Sequence, residues 1–230
     1  MEYGQFCPVA KASEVLGDKW SLLIIREMLM GAKRFNTLQR GLCLISPTML
    51  TKRLNELTAT GIITKKKIPG QKGYEYFLTE SGQELYPIIE QIGVWGMRWA
   101  RNGMPDSDLD LQLLLLYLER SIMPEKLVGR ETVVRFNFTD LEEFNSWWLV
   151  VSNDTVDTCV QDPGKDVDVY FTTDLRTMIQ AWMGDISYKQ AIADKRLQLV
   201  GPKELTNNVA NWIRGSVFEG IPPAQEIRLQ

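Results

Sequence analysis

Thr48, Thr51, Lys52 and Asn55 recur at the i, i+3, i+4, i+7 spacing that puts side chains on one face of an α-helix. Ser46 and Arg53 flank that face, and Leu50, Leu54 and Leu57 form an apolar stripe opposite it. The polar set has the chemistry of base-edge reading in a DNA major groove. Lys and Arg engage guanine or phosphate, Asn pairs with adenine, and Thr meets the thymine methyl. A cationic hairpin follows, with Lys65, Lys66 and Lys67 on its first strand and Lys72 in the turn Pro69-Gly70-Gln71-Lys72-Gly73. Such a tip can reach the phosphates beside the groove. Arg34, just before the preceding short helix, is a further candidate for a backbone contact. In isolation, a polar face opposite leucines is usually only solvated. The succession of helix, short helix, basic helix, basic hairpin and long helix is what favours a DNA-reading module.

Other chemistries find little support. The chain of 230 residues contains no histidine, which removes His-based triads, His-ligated zinc and His proton relays. Neither a P-loop nor a dinucleotide fingerprint occurs, and nothing marks a pair of carboxylates for acid–base work. The expectation is a non-enzyme with no metal and no cofactor. Cys7, Cys43 and Cys159 are odd in number and widely spaced, unlike a disulfide framework. Apolar runs such as Leu113–Leu116 are far too short to span a membrane, and Met1-Glu2-Tyr3-Gly4 lacks the basic and apolar regions of a signal peptide. A cytoplasmic protein with no membrane partner is expected. The formal net charge is −3, yet it is unevenly placed. Residues 1–103 hold 14 Lys and Arg against 9 Asp and Glu, whereas residues 104–230 hold 12 against 20. One nucleic-acid-facing module and one with another task fit this asymmetry.

The breaker-rich stretch Asn102-Gly103-Met104-Pro105-Asp106 suggests domains at 1–103 and 104–230. In the first, Trp20, Leu23, Ile24 and Met28 share a helical face within Lys19–Leu29. Ser46-Pro47 reads as N-cap and first helical position of the basic helix, and Gly61 sits where a C-terminal cap belongs. Strands are expected over Ile62–Ile68 and Tyr74–Leu78, then one long helix over Glu80–Arg101. That helix carries Leu85, Ile88, Ile89, Ile92, Trp95 and Trp99; Trp95 and Trp99 suit either a dimer core or packing within the monomer. The second domain reads as α+β with an antiparallel sheet. Its helices are expected at Leu109–Ser121, Leu175–Met183, Tyr188–Ala193 and Glu204–Ile213, and its strands near Thr132–Phe138, Trp147–Val151, Val156–Val160, Val167–Thr173 and Leu197–Val200.

Residues 7–95 resemble the HxlR-type winged helix-turn-helix regulators, relatives of the MarR group. The resemblance rests on Cys7-Pro8-Val9, Leu16-Gly17-Asp18-Lys19-Trp20-Ser21, Lys33-Arg34-Phe35-Asn36-Thr37-Leu38, Ile45-Ser46-Pro47-Thr48-Met49-Leu50-Thr51-Lys52-Arg53-Leu54, Gly61-Ile62-Ile63 and Tyr76-Phe77-Leu78-Thr79. It implies a homodimeric transcription regulator, taken here as a repressor, on pseudo-palindromic double-stranded DNA. Ser46, Thr48, Thr51, Lys52 and Arg53 would lie on the recognition helix and Lys72 in the wing. Some relatives use a cysteine placed like Cys7 to sense oxidants, and a packing role is the alternative.

Residues 109–215 resemble the sterol-carrier-protein-like fold, through Val167-Asp168-Val169-Tyr170-Phe171, Asp174-Leu175-Arg176-Thr177-Met178, Trp182-Met183-Gly184-Asp185-Ile186-Ser187 and Leu197-Gln198-Leu199-Val200-Gly201-Pro202. That likeness implies an apolar tunnel and a hydrophobic small-molecule effector. Trp147, Trp148, Phe171, Met178, Trp182, Met183 and Trp212 are the candidate lining residues, with ordinary core as the alternative for each. The rival function is a lipid carrier whose winged domain mediates protein contacts.

Overall fold

The structure is a computed structural model that describes residues 2–101, 104–127 and 129–224. The chain divides into two units, Met1–Gly96 and Met97–Gln230. The division precedes the Asn102-Gly103 stretch marked in the sequence, and those two residues lie outside the described ones.

In the first unit, α1 (Pro8–Leu16), α2 (Ser21–Leu29), α3 (Phe35–Arg40) and α4 (Pro47–Ala59) precede the antiparallel hairpin β1 (Ile63–Lys67) and β2 (Tyr74–Leu78). Ile24, Ile25 and Met28 of α2, Leu38 of α3, and Leu50, Leu54 and Leu57 of α4 converge in one core with Ile63 and Tyr76. Each such side chain contributes about 1.5–3 kcal/mol on leaving water, which fixes α4 by its leucine stripe. Within α2 the buried face differs from the expected one. Ile25 is buried and Leu23 exposed, while Trp20 stands at the N-cap with φ of 82°. The expected long helix is also interrupted. A short α5 (Glu80–Gln83) is followed by α6 (Tyr86–Trp95), and a π-helical turn covers Gly96–Ala100. Pro87 has no N–H to donate to Gln83, so the ladder breaks there.

The second unit opens with α7 (Leu111–Ser121). A five-stranded sheet follows, formed by β3 (Glu131–Phe138), β4 (Ser146–Ser152), β5 (Thr155–Cys159), β6 (Val169–Thr173) and β7 (Leu197–Val200) in the order β5-β4-β3-β6-β7. The sheet is mixed rather than wholly antiparallel, because β3 and β6 run parallel with Phe136 opposite Phe171. Chain passage through β4 and β5 brings β6 back to the free edge of β3 in the same direction. Between β6 and β7 lie α8 (Leu175–Met183), capped by the Asp174 carboxylate accepting from the Thr177 N–H at 2.8 Å, and α9 (Tyr188–Ala193). The last expected helix is split into α10 (Lys203–Thr206) and α11 (Val209–Trp212). Inward residues of β3, β4 and β6 pack with α7, α8 and α11 into one core.

Candidate nucleic-acid interface

The N-terminus of α4 is capped as the sequence suggests, with the Ser46 hydroxyl accepting from the Met49 N–H at 3.2 Å. Thr48, Thr51, Lys52 and Asn55 are all exposed, while Leu50, Leu54 and Leu57 are buried. One helix therefore offers a short polar and cationic face while its other side is anchored. Thr51 donates its hydroxyl to the Pro47 carbonyl at 2.9 Å, which steadies that face. Lys52 lies 3.9 Å from Glu56, an exposed pair of little energetic weight that the lysine can exchange for another anion.

Arg53 departs from its expected role. Its Nη1 donates to Asp18 at 2.5 Å and to Glu56 at 2.6 Å, and the residue is only 8% exposed. It sits three residues after Leu50 and four before Leu57, on the margin of the buried stripe. It therefore braces α4 against the segment before α2 rather than extending the reading face. A second buried charge, on α2, packs against the turn between α3 and α4. Glu27 is fully buried, bonded to Arg26 at 2.8 Å, and Arg26 also donates to the Gly41 carbonyl at 3.1 Å. A Cβ on Gly41 would come within 2.0 Å of the Glu27 carboxylate, so this turn requires glycine for space.

The wing keeps its lysines exposed along an aromatic strand. The Lys65 ammonium lies 4.0 Å from the Tyr74 ring centroid, and Lys66 and Lys33 lie 5.1 and 5.6 Å from that of Phe77. Each such cation–π contact is worth about 0.5–1 kcal/mol when exposed, enough to bias the side chains without fixing them. Burial pushes the Tyr76 hydroxyl above its ordinary pKa, with the neighbouring Tyr74 adding to it, so this wing tyrosine stays neutral. Lys33 was missed in the sequence, although its place beside Arg34 is a signal. Lys72 is exposed between Gly70 and Gly73, whose φ values of 69° and 119° make the turn. Arg34 caps α3 by position and pairs with Glu75 of β2 at 3.5 Å, joining the start of α3 to the wing. Its side chain remains about half exposed.

Other sequence-marked residues are placed as follows. Trp95 ends α6 and is 60% exposed, with Ile88 and Ile92 exposed beside it along a shallow apolar groove of about 550 Å³. Trp99, also exposed, belongs to the second unit. Cys7 is the partly buried N-cap residue of α1 and makes no side-chain cap. Trp147, Phe171, Met178, Trp182 and Trp212 lie in the core of the second unit, with Met183 packed at its edge. Their polar atoms are satisfied there. The indole N–H groups of Trp147, Trp182 and Trp212 donate to the Phe144 carbonyl, the Ser121 hydroxyl and the Leu205 carbonyl at 2.6, 2.8 and 3.0 Å. Phe171 meets Trp212 edge to face at 6.0 Å, and Tyr117 stacks on Trp182 at 4.9 Å. Trp148 cannot share a wall with Trp147. Successive strand residues point to opposite faces, and Trp148 packs with Val133 and Val150 on the far side of the sheet.

Residues 15–104 match the HxlR-like helix-turn-helix family and residues 114–214 the SCP-2 sterol transfer family. The chain is 34% identical over 101 residues to the uncharacterized HTH-type transcriptional regulator YvaP of Bacillus subtilis, covering 43% of this chain and 94% of that one. It is 40% identical over 93 residues to YybR of the same organism, also an uncharacterized HTH-type transcriptional regulator, covering 39% and 73%. Among solved structures, the reduced form of the transcriptional regulator YodB from B. subtilis is 29% identical, covering 44% of this chain and all of that one with a TM-score of 0.37. With its helix-turn-helix and wing in place, the chain belongs to the HxlR-like helix-turn-helix family of transcription regulators and carries an SCP-2-type domain after them.

Proposed function

We propose that the protein is a homodimeric, sequence-specific DNA-binding repressor that places α4 in the major groove of each half-site and the Lys72 wing on the flanking phosphates. The observation that carries this reading is the exposed face Thr48, Thr51, Lys52 and Asn55 on a helix held from behind by buried leucines. A second copy of the chain is the natural cover for the apolar side of α6, where Ile88, Ile92 and Trp95 stand exposed. Closed two-fold dimers match pseudo-palindromic sites with half-sites one or two helical turns apart. The SCP-2-type unit serves as the sensor, with a small-molecule effector shifting the equilibrium between dimer arrangements of different operator affinity. Binding of the full chain to its own promoter region, in a gel shift run at several salt concentrations, tests the reading. A retarded, dimer-sized complex that competes away with operator but not random duplex supports it. No binding at low salt, together with retention of lipid, favours the carrier instead.

A further inference from the structure

The second unit has a cleft of about 630 Å³ among α8, α9, α11 and the segment that follows α11. That volume falls in the range of small-molecule sites. Ile186, Ile192 and Val209 contribute apolar walls. Two polar features distinguish it from a packing defect. Tyr188 lines the cleft, and its hydroxyl is buried with no hydrogen-bond partner among the described residues. Buried polar groups in native proteins nearly always have partners, so an orphan points to an absent one. Glu219 lines the same cleft from an exposed position, its side chain occupying the room left by two glycines. A Cβ on Gly184 would come within 2.3 Å of the Glu219 Cγ, and one on Gly215 within 2.1 Å of its carboxylate. Among the described residues Glu219 has no ion-pair partner.

We propose that this cleft binds an apolar amine, whose ammonium group donates to the Tyr188 oxygen and faces the Glu219 carboxylate while its hydrocarbon lies along Ile186 and Ile192. The sign of the head group follows from the local field. Burial raises the Tyr188 hydroxyl's pKa well above its ordinary value, and the charge of Glu219 raises it further. Lys189 and Glu219 are the charged residues on the wall and both are exposed, but only Glu219 acts on the hydroxyl. The side of the cleft that Tyr188 and Glu219 share is electronegative because of the Glu219 charge, which disfavours a fatty carboxylate there and favours a cation. Binding is a property of this unit; its role as the effector site rests on the regulatory reading above.

The test is calorimetric titration of the full chain with three probes of one chain length, decylamine, decanol and decanoate. Decylamine is expected to bind one per chain and tightest, decanoate weakest. Glu219→Gln should cost the amine about tenfold while leaving decanol unchanged, and Tyr188→Phe should weaken both. Gly215→Ala, which displaces the carboxylate without removing it, should repeat the Glu219→Gln selectivity. Because each variant is judged on amine against alcohol, a general loss of folding does not imitate the result. Decanoate binding tightest, an amine affinity indifferent to Glu219→Gln, or no binding of the amine would overturn the proposal. A gel shift with decylamine separates the two ideas. If the selectivity is found but operator affinity does not move, the amine site stands and the effector role falls.

Discussion

Helices α6 and α8 both place an isoleucine three residues before a tryptophan, Ile92 and Trp95 in one and Ile179 and Trp182 in the other, and the molecule treats them oppositely. On α8 the apolar side is covered: Met178 is fully buried and Trp182 is 9% exposed, stacked on Tyr117 and hydrogen-bonded to Ser121. On α6, Leu85 just before it and Ile89 join the core, but Ile88, Ile92 and Trp95 remain outside it. Periodicity identifies which side of a helix is apolar; it does not say what covers that side. For α8 the cover is the sheet and α7 of its own unit. For α6 the described residues of its own unit leave Ile88, Ile92 and Trp95 open, and the dimer proposed above would supply their cover.

The sharpest way to break this comparison is to truncate both indoles. Trp182→Ala should destabilise the second unit by about 3–5 kcal/mol in urea unfolding, as a large core side chain with a buried hydrogen bond does. A cost below about 1 kcal/mol would mean that the indole borders open space, as the tunnel expectation held. Trp95→Ala should leave unfolding of the monomer within about 0.5 kcal/mol. It should instead weaken dimerisation by about 2 kcal/mol, roughly thirtyfold, in sedimentation equilibrium. Unchanged self-association would move the interface elsewhere. Smaller effects sharpen the first unit's side of the contrast. Lys52→Ala should lose about 1–3 kcal/mol on the operator and little on random duplex if the lysine reads a base. Lys72→Ala should weaken both duplexes alike and reduce the slope of log K against log salt by about one. Smallest of all, Cys7→Ser should stabilise α1 by up to about 1 kcal/mol, since serine caps a helix where this cysteine makes no cap. If Cys7 is also the oxidant sensor, the same variant abolishes any peroxide-induced loss of DNA binding; a response that persists assigns it to Cys43 or Cys159.

Much of the reading face was legible because its determinants are local. Ser46-Pro47 announces the start of α4, the leucine spacing gives its buried side, and the Pro-Gly-Gln-Lys-Gly turn gives the wing. Arg53 was misjudged because its partner Asp18 is 35 residues away, although its spacing from Leu50 and Leu57 already placed it near the core. The opposite orientations of Trp147 and Trp148 were available from strand alternation. The parallel pairing of β3 with β6 was not, since it depends on how the chain returns to the sheet after β5. The Tyr188 cleft was illegible for the same reason: Tyr188 and Glu219 belong to segments that only the fold brings together.

The Arg53 brace has a consequence for what the regulator can respond to. The angle at which α4 is held depends on one guanidinium nitrogen shared by Asp18, ahead of α2, and Glu56, on α4 itself. The pose of that helix therefore answers to a carboxylate 35 residues away in sequence. A displacement of the segment before α2 would be carried to α4 through a single side chain.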